Sequence, residues 1–293
     1  MATVVIGAGG YTAFNLVKEI SKTEEVLAVL SETNVATRKF YTENNIKMLP
    51  SIEFLLQQKL NKGSKIIYLG GTGGSDHTFT DIDKLTRAYI TGVAQSLEVA
   101  RTFGLPILIS GSYWELILDP MTNTSINLYA SFQSAQNKIL EYFAFAYNTS
   151  ITKVFLADVY GPHDPRPKLL QFLINSVEFN KELKMGNPNQ IIAPIFINDV
   201  VDDLINIMSS MPLNKNSVGK IQILPREIYT IKEFVSKFED ISARKVRTKW
   251  NSIKKIRMDI ENFPVIKDIY KTTSSYTSLD DGLHHILYPN NHK

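Results

Sequence analysis

Cysteine is absent from the 293 residues. That excludes disulfides, thiolate metal ligands and a cysteine nucleophile, and it fits a reducing compartment. Charge of one sign is scarce as well. The net charge is only +3, and no basic stripe interleaves with aromatics, so nucleic acid is not an expected partner. No apolar run is long enough to span a bilayer, and no membrane partner is expected. The chain opens on a strand-like run, not on a charged segment followed by an apolar one. The five histidines show no ligand spacing, so no metal is expected. These absences lead to the expectation of a soluble, cytoplasmic protein. What is present is a hydrophobic content of 44%, enough for a large core in one domain or two coupled ones.

The most informative stretch is Thr3-Val4-Val5-Ile6-Gly7-Ala8-Gly9-Gly10-Tyr11-Thr12-Ala13-Phe14. A β-branched run stops at a glycine turn and a helical pattern follows. Glycine permits a positive φ and a close approach of backbone to phosphate. The helix start aims free N–H groups and a positive dipole end at that phosphate. Strand, turn and helix in this order are the context a dinucleotide fingerprint requires, with spacing Gly7-x-x-Gly10-x-x-Ala13. Gly7, Gly10, Tyr11 and Thr12 are the first candidate cofactor contacts.

Alternation of strands and helices continues. Helical spacing runs from Ala13 to Ile20, and a second strand covers Val26 to Leu30. Residues just past such a strand meet the adenosine ribose: acidic for a free 2′-hydroxyl, Ser, Arg or Lys for a 2′-phosphate. Here Ser31, Glu32 and Thr33 come first and Arg38 shortly after, which leans to NADP(H) over NAD(H). A helix is expected from Ile52 to Leu60. A third strand from Lys65 ends in Leu69-Gly70-Gly71-Thr72, small enough for close cofactor approach. Asp83 to Phe103 reads as one amphipathic helix, and Leu105 to Ser112 as a buried strand with a polar tip at Ser110-Gly111-Ser112. The pattern argues for an α/β fold with a Rossmann-type doubly wound parallel sheet.

With these residues in view, the chain resembles the extended short-chain dehydrogenase/reductase family, in particular its nucleotide-sugar epimerases, dehydratases and 4-ketoreductases. Gly7, Gly10 and Ala13 match the family's glycine turn. Ser112 falls on the catalytic hydroxyl position, and Leu128-Tyr129-Ala130-Ser131-Phe132-Gln133 on the YxxxK motif. Val159-Tyr160-Gly161-Pro162 matches the VYGP turn, and Ile195 to Val201 a later family segment. Segments 228–234 and 278–283 are similar to C-terminal helix starts. The resemblance runs nearly end to end. It implies a catalytic set of Ser112, Tyr129 and Gln133. It implies cofactor contacts from Ser110, Leu69, Gly70, Gly71, Tyr129 and Gln133, and substrate contacts from Thr72, Ser112, Tyr113, Trp114, Asp158, His163, Arg166 and Lys168. It also implies a smaller C-terminal α/β substrate domain, with residues 1–161 for the dinucleotide and 162–293 mainly for substrate, a segment near 190–205 returning to the first domain, and a homodimer through the helices 83–103 and 129–147.

In such enzymes the tyrosine exchanges a proton while nicotinamide moves a hydride. The lysine one helical turn on lowers the tyrosine pKa and binds the ribose. Here that lysine is Gln133. A neutral amide can bond a ribose but cannot stabilise a tyrosinate by charge. Three readings stay open: a reductase whose tyrosine donates its proton, an enzyme in which another cation replaces the lysine, or a nucleotide-binding protein with impaired catalysis. The length and the VYGP-His163-Asp164-Pro165 turn are similar to the CDP-3,6-dideoxyhexose reductases, the abequose and paratose synthases. The expected function is therefore NAD(P)H-dependent reduction of a nucleotide-linked 4-keto-deoxy sugar, CDP-linked, for bacterial surface polysaccharide. A nucleotide-sugar 4-epimerase or dehydratase with bound NAD is the alternative.

Overall fold

The computed structural model describes residues 2–30, 35–72, 78–211, 216–252, 262–266, 269–270 and 276–289. Chain order in the first half is β1 (Ala2–Ile6), α1 (Tyr11–Ile20), β2 (Glu25–Val29), α2 (Val35–Glu43), β3 (Lys47–Leu49), β4 (Lys65–Tyr68), α3 (Phe79–Thr86), α4 (Gly92–Phe103), β5 (Ile107–Ser112) and α5 (Leu128–Tyr147). The second half holds β6 (Ile151–Leu156), β7 (Asp158–Tyr160), α6 (Leu169–Glu178), β8 (Leu183–Lys184), β9 (Ile191–Ile192), β10 (Pro194–Phe196) and α7 (Ile197–Ser209). It ends with β11 (Val218–Ile223), β12 (Tyr229–Thr230), α8 (Ile231–Ser242), β13 (Thr248–Lys249), β14 (Ile269–Tyr270) and α9 (Leu279–Leu287).

Among the described residues, eight strands form one sheet in the order β14-β11-β6-β5-β4-β1-β2-β3. All of its pairings are parallel. Parallel strands must be covered on both faces, so their sequences are apolar throughout. In β1 all five residues are buried. Alternation then sorts them. Val4, Ile6, Ile107 and Ile109 face Val93, Leu97 and Ala100 of α4 and Leu140 and Ala144 of α5. Val5, Ala28, Ile67 and Leu108 face Leu16, Val17 and Ile20 of α1 and Val200, Leu204 and Ile207 of α7. This is the expected doubly wound Rossmann-type sheet. The strand order reverses between β1 and β4, which opens a crevice at the carboxyl ends of the strands.

Three expectations change in detail. The first helix begins at Tyr11, two residues before Ala13, with Gly10 at its N-cap. The 52–60 segment is a short 3-10 turn, Ile52–Gln57. The helix expected from Asp83 starts at Phe79, where Thr78 and Asp81 form a capping box. It is then broken by a π turn, Arg87–Thr91, before α4. Such π turns often occur at functional positions, and this one carries Tyr89 into the crevice. In the second half, β11 and β14 join the main sheet while β8 pairs β13 and β9 pairs β12 beside it. No helix among the described residues is long and apolar enough to cross a membrane.

Candidate active site

The glycine turn is shaped by two close approaches. Gly7 has φ +81°, and a Cβ there would lie 2.5 Å from Gly70 Cα. Only glycine lets the turn after β1 touch the turn after β4. Gly10 N–H bonds back to Gly7 O at 3.0 Å. Gly10 offers no side-chain cap to the first-turn N–H groups of α1, whose residues Tyr11 and Thr12 line the cleft. An uncapped helix start beside a glycine cradle fits a pyrophosphate, and hence a dinucleotide.

The cleft has a volume of about 840 Å³. Gly10, Tyr11, Thr12, Leu69, Gly70, Gly71, Thr72, Ser110, Ser112, Tyr113, Trp114, Tyr129, Gln133, Asp158, His163, Arg166 and Lys168 all line it. These are sequence-predicted residues brought together from both halves of the chain. Arg38 stands exposed on α2 and is not part of this lining. Ser31 and Thr33 lie outside the described residues.

Ser112 ends β5, with its hydroxyl accepting from Trp114 N at 3.3 Å. Tyr129 sits in the first turn of α5, which Asn127 caps by accepting from Ala130 N at 2.8 Å. Gln133 is one turn on and 4% exposed. Its Nε2 donates to the Tyr129 hydroxyl oxygen at 3.1 Å. Its Oε1 is occupied by Gln136 Nε2 at 2.5 Å. Gln136 thereby fixes the amide with its NH2 toward the phenol. Burial pushes the Tyr129 phenol above the ordinary tyrosine range, and hydrogen bonds with Ser112, Gln133 and Tyr89 pull only part of the way back. With its pKa raised, the hydroxyl stays protonated at neutral pH.

Tyr89 was not singled out in the sequence. Its ring meets Tyr129 edge-on at 5.7 Å. Its hydroxyl donates to Thr72 O at 2.6 Å and accepts from Thr72 N at 3.1 Å. The register of a π turn cannot be read from helical periodicity, which is why it was missed.

On the opposite wall Asp158 accepts from Tyr113 Oη at 2.8 Å and from Ala193 N at 2.9 Å. Burial raises its carboxyl, with the Lys168 charge opposing. Lys168 is an exposed residue whose ammonium donates to Val159 O at 3.2 Å. Burial of that end lowers its pKa, helped by the Arg166 charge. Arg166 is forked onto Asp164 at 2.6 and 2.7 Å and stacks over the Tyr11 ring at 4.8 Å. Tyr11 Oη in turn donates to Pro162 O at 3.0 Å. The cation-bearing loop is thus tied to the glycine-turn helix. His163 is exposed at φ 58°.

A family model described as "NAD dependent epimerase/dehydratase family" matches residues 3–217. The chain belongs to this family. As a member it is an enzyme, an oxidoreductase of the short-chain dehydrogenase/reductase type. The CDP-abequose synthase of Yersinia pseudotuberculosis is 24% identical over 246 residues, spanning 82% of this chain and 84% of that one. Solved structures of the fold include the UDP-glucuronic acid 4-epimerase of Bacillus cereus with UDP-glucuronic acid and NAD, at TM-score 0.78 and 16% identity over 97% of each chain. The UDP-N-acetylglucosamine 4-epimerase of Methanobrevibacter ruminantium matches at TM-score 0.75 and 14% identity over 96% of each.

Proposed function

We propose that the protein reduces the 4-keto group of a nucleotide-linked deoxy sugar, with Tyr129 as the proton donor. The observation that carries this is the Gln136–Gln133–Tyr129 chain. Gln133 donates to the phenol oxygen, so the phenolic proton remains free to be given away. Reduction of a ketone needs a proton donor, whereas oxidation of an alcohol needs a base. A phenol held above its ordinary pKa and lacking a lysine suits the first task.

A nicotinamide dinucleotide held at the glycine turn supplies the hydride for the carbonyl carbon. Gly10, Tyr11 and Thr12 would bind its pyrophosphate, Ser110 and Gly70 would flank it, and the second Gln133 N–H would meet its ribose. Ser112 Oγ orients the carbonyl oxygen, and Tyr129 gives that oxygen its proton. The phenolate left behind still faces Ser112 and Gln133, which stabilise it by hydrogen bonds. Lys168 and Arg166 would hold the substrate diphosphate, and Trp114 and Tyr113 would flank the sugar. The reading keeps residues 1–161 as the dinucleotide half and 162–293 as mainly the substrate half. NADP(H) is carried forward on Arg38, and a CDP-linked sugar on the likeness to the Yersinia synthase. A cytoplasmic place in surface-polysaccharide assembly goes with that substrate. A homodimer would use α4 and α5, where Tyr142, Phe145 and Tyr147 stand exposed.

The test is turnover of NADPH and NADH against CDP-, dTDP-, GDP- and UDP-linked 4-keto sugars. Oxidation of NADPH with a CDP-keto sugar is expected. Interconversion of sugar epimers with tightly held NAD and no net oxidation would make it an epimerase, as the Bacillus neighbour is. Calorimetric binding of dinucleotide without turnover across the panel would make it a non-catalytic binding protein.

A further inference from the structure

Behind the site lies a buried charge pair that the proposed chemistry does not use. Lys153, in the middle of β6, and Glu115, three residues past Ser112, have side chains 0% and 1% exposed, with Nζ and Oε2 2.6 Å apart. Lys153 Nζ also donates to the Gln133 carbonyl at 3.1 Å and to Asn137 Oδ1 at 2.6 Å. Glu115 Oε2 accepts from Asn137 Nδ2 at 3.1 Å, and its Oε1 accepts from the backbone N–H of Ser112 at 3.1 Å. Parallel pairing of β5 with β6 sets Ile109 opposite Lys153 and Gly111 opposite Phe155. Gly111 makes room for the pair: a Cβ there would lie 2.5 Å from Glu115 Oε1 and 2.6 Å from Lys153 Cε.

A buried ion pair is costly to desolvate and is weak evidence for stability. Its value here is geometric. One carboxylate grips the backbone of Ser112, and the ammonium paired with it grips the backbone of Gln133, the residue that orients Tyr129. Ser112 and Tyr129 lie on different elements, so the hydrogen bond between them depends on how the tip of β5 is held against α5. We propose that Glu115 and Lys153 are positioning residues of the reduction site, tying the tip of β5 to the first turns of α5 and so setting the placement of Ser112 relative to Tyr129. The inference rests on the reductase reading.

The test compares Glu115→Leu/Lys153→Met with Glu115→Gln/Lys153→Met in the full chain. Both remove the buried charges. Only glutamine keeps an oxygen for the Ser112 N–H. In the leucine double variant kcat is expected to fall about a hundredfold, the scale of a small misplacement of reacting groups. KM and dinucleotide affinity should stay within about threefold of wild type. The glutamine double variant should regain about tenfold of the lost kcat. Amide exchange over 110–116 should be faster in the leucine variant than in the glutamine variant, with the rest of the chain alike. Equal kcat and equal exchange in the two variants would overturn the proposal. So would a loss spread over KM, dinucleotide affinity and exchange throughout the chain. If neither double variant folds, Asn137→Ala decides, because it keeps the ion pair: a several-fold lower kcat at unchanged KM supports the tie, and unchanged kcat overturns it. Exchange is read without substrate. A wild-type protein that reduces no keto sugar therefore overturns the reductase reading, while the exchange contrast still judges the tie.

Discussion

Two helix starts face the same cleft and are finished in opposite ways. α1 begins at Gly10, which has no side chain to cap it. α5 begins at Asn127, whose side-chain oxygen takes the Ala130 N–H at 2.8 Å. The first leaves its N–H groups and dipole end for a ligand anion. The second satisfies its own backbone and presents side chains, Tyr129 and Gln133. An open helix start binds through the main chain and tolerates little bulk. A capped one is a fixed platform on which side-chain identity decides the chemistry. On the proposed reading, Gln133 in place of a lysine would alter reactivity and leave the glycine turn as it is.

That contrast can be broken at Tyr129 first. Tyr129→Phe should lower turnover by roughly a hundredfold or more, the scale of general acid catalysis, with dinucleotide affinity unchanged. Near-wild-type turnover would remove Tyr129 from the mechanism. At the other helix start, Gly7→Ala should weaken dinucleotide binding at least tenfold by calorimetry, because its φ of +81° and the 2.5 Å approach to Gly70 admit no Cβ. Should Gly7→Ala bind normally, the cradle lies elsewhere.

Gly10→Asp sharpens the comparison through effects of opposite sign. Gly10 has φ −76° and ψ 155°, open to any residue. A carboxylate there should cap α1, adding a few tenths of a kcal/mol to stability in urea unfolding. The same charge should repel pyrophosphate and weaken dinucleotide binding. A variant that gains stability and keeps full affinity would show that α1 does not hold the phosphate.

The smaller effects concern proton balance. Tyr129 is held above its ordinary value, chiefly by burial. The sign then follows: the phenol keeps its proton through neutral pH and loses it only above about pH 10, the ordinary tyrosine value. The kcat of reduction should show no limb from Tyr129 between about pH 6 and 9 and should fall only on the alkaline side. Gln133→Lys would add a cation one helical turn away and lower the phenol pKa. Alcohol oxidation at pH 7 should then rise relative to ketone reduction, as initial rates in the two directions would record. An unchanged ratio would mean that the amide is not what biases the site toward reduction.

The local parts of this site were legible before folding. Strand, glycine turn and helix are contiguous, and Tyr129 and Gln133 are four residues apart on one helix, so periodicity alone brings them together at 3.1 Å. Ser112 at the tip of a buried strand was equally visible. The partners that came as news are distant in sequence or lie on irregular backbone. Glu115 and Lys153 are 38 residues apart, and Tyr113 and Asp158 are 45 apart. Tyr89 depends on a π turn that shifts the helix phase. A lysine within the apolar run Ile151-Thr152-Lys153-Val154-Phe155 was the one available signal of a buried partner.

By itself the sequence determined the alternation of strands and helices, the glycine cradle and the residue types at the reacting centre. Each of these depends on backbone conformation and short-range periodicity, which neighbouring residues control. Tertiary structure alone decided what surrounds the phenol. It set burial without a lysine, an amide locked as donor by Gln136, and an ion pair beneath Ser112 and Gln133. Desolvation and cross-strand register belong to no segment of the chain. They exist only once β5, β6 and α5 are packed together, and on them rests the reading of Tyr129 as a proton donor.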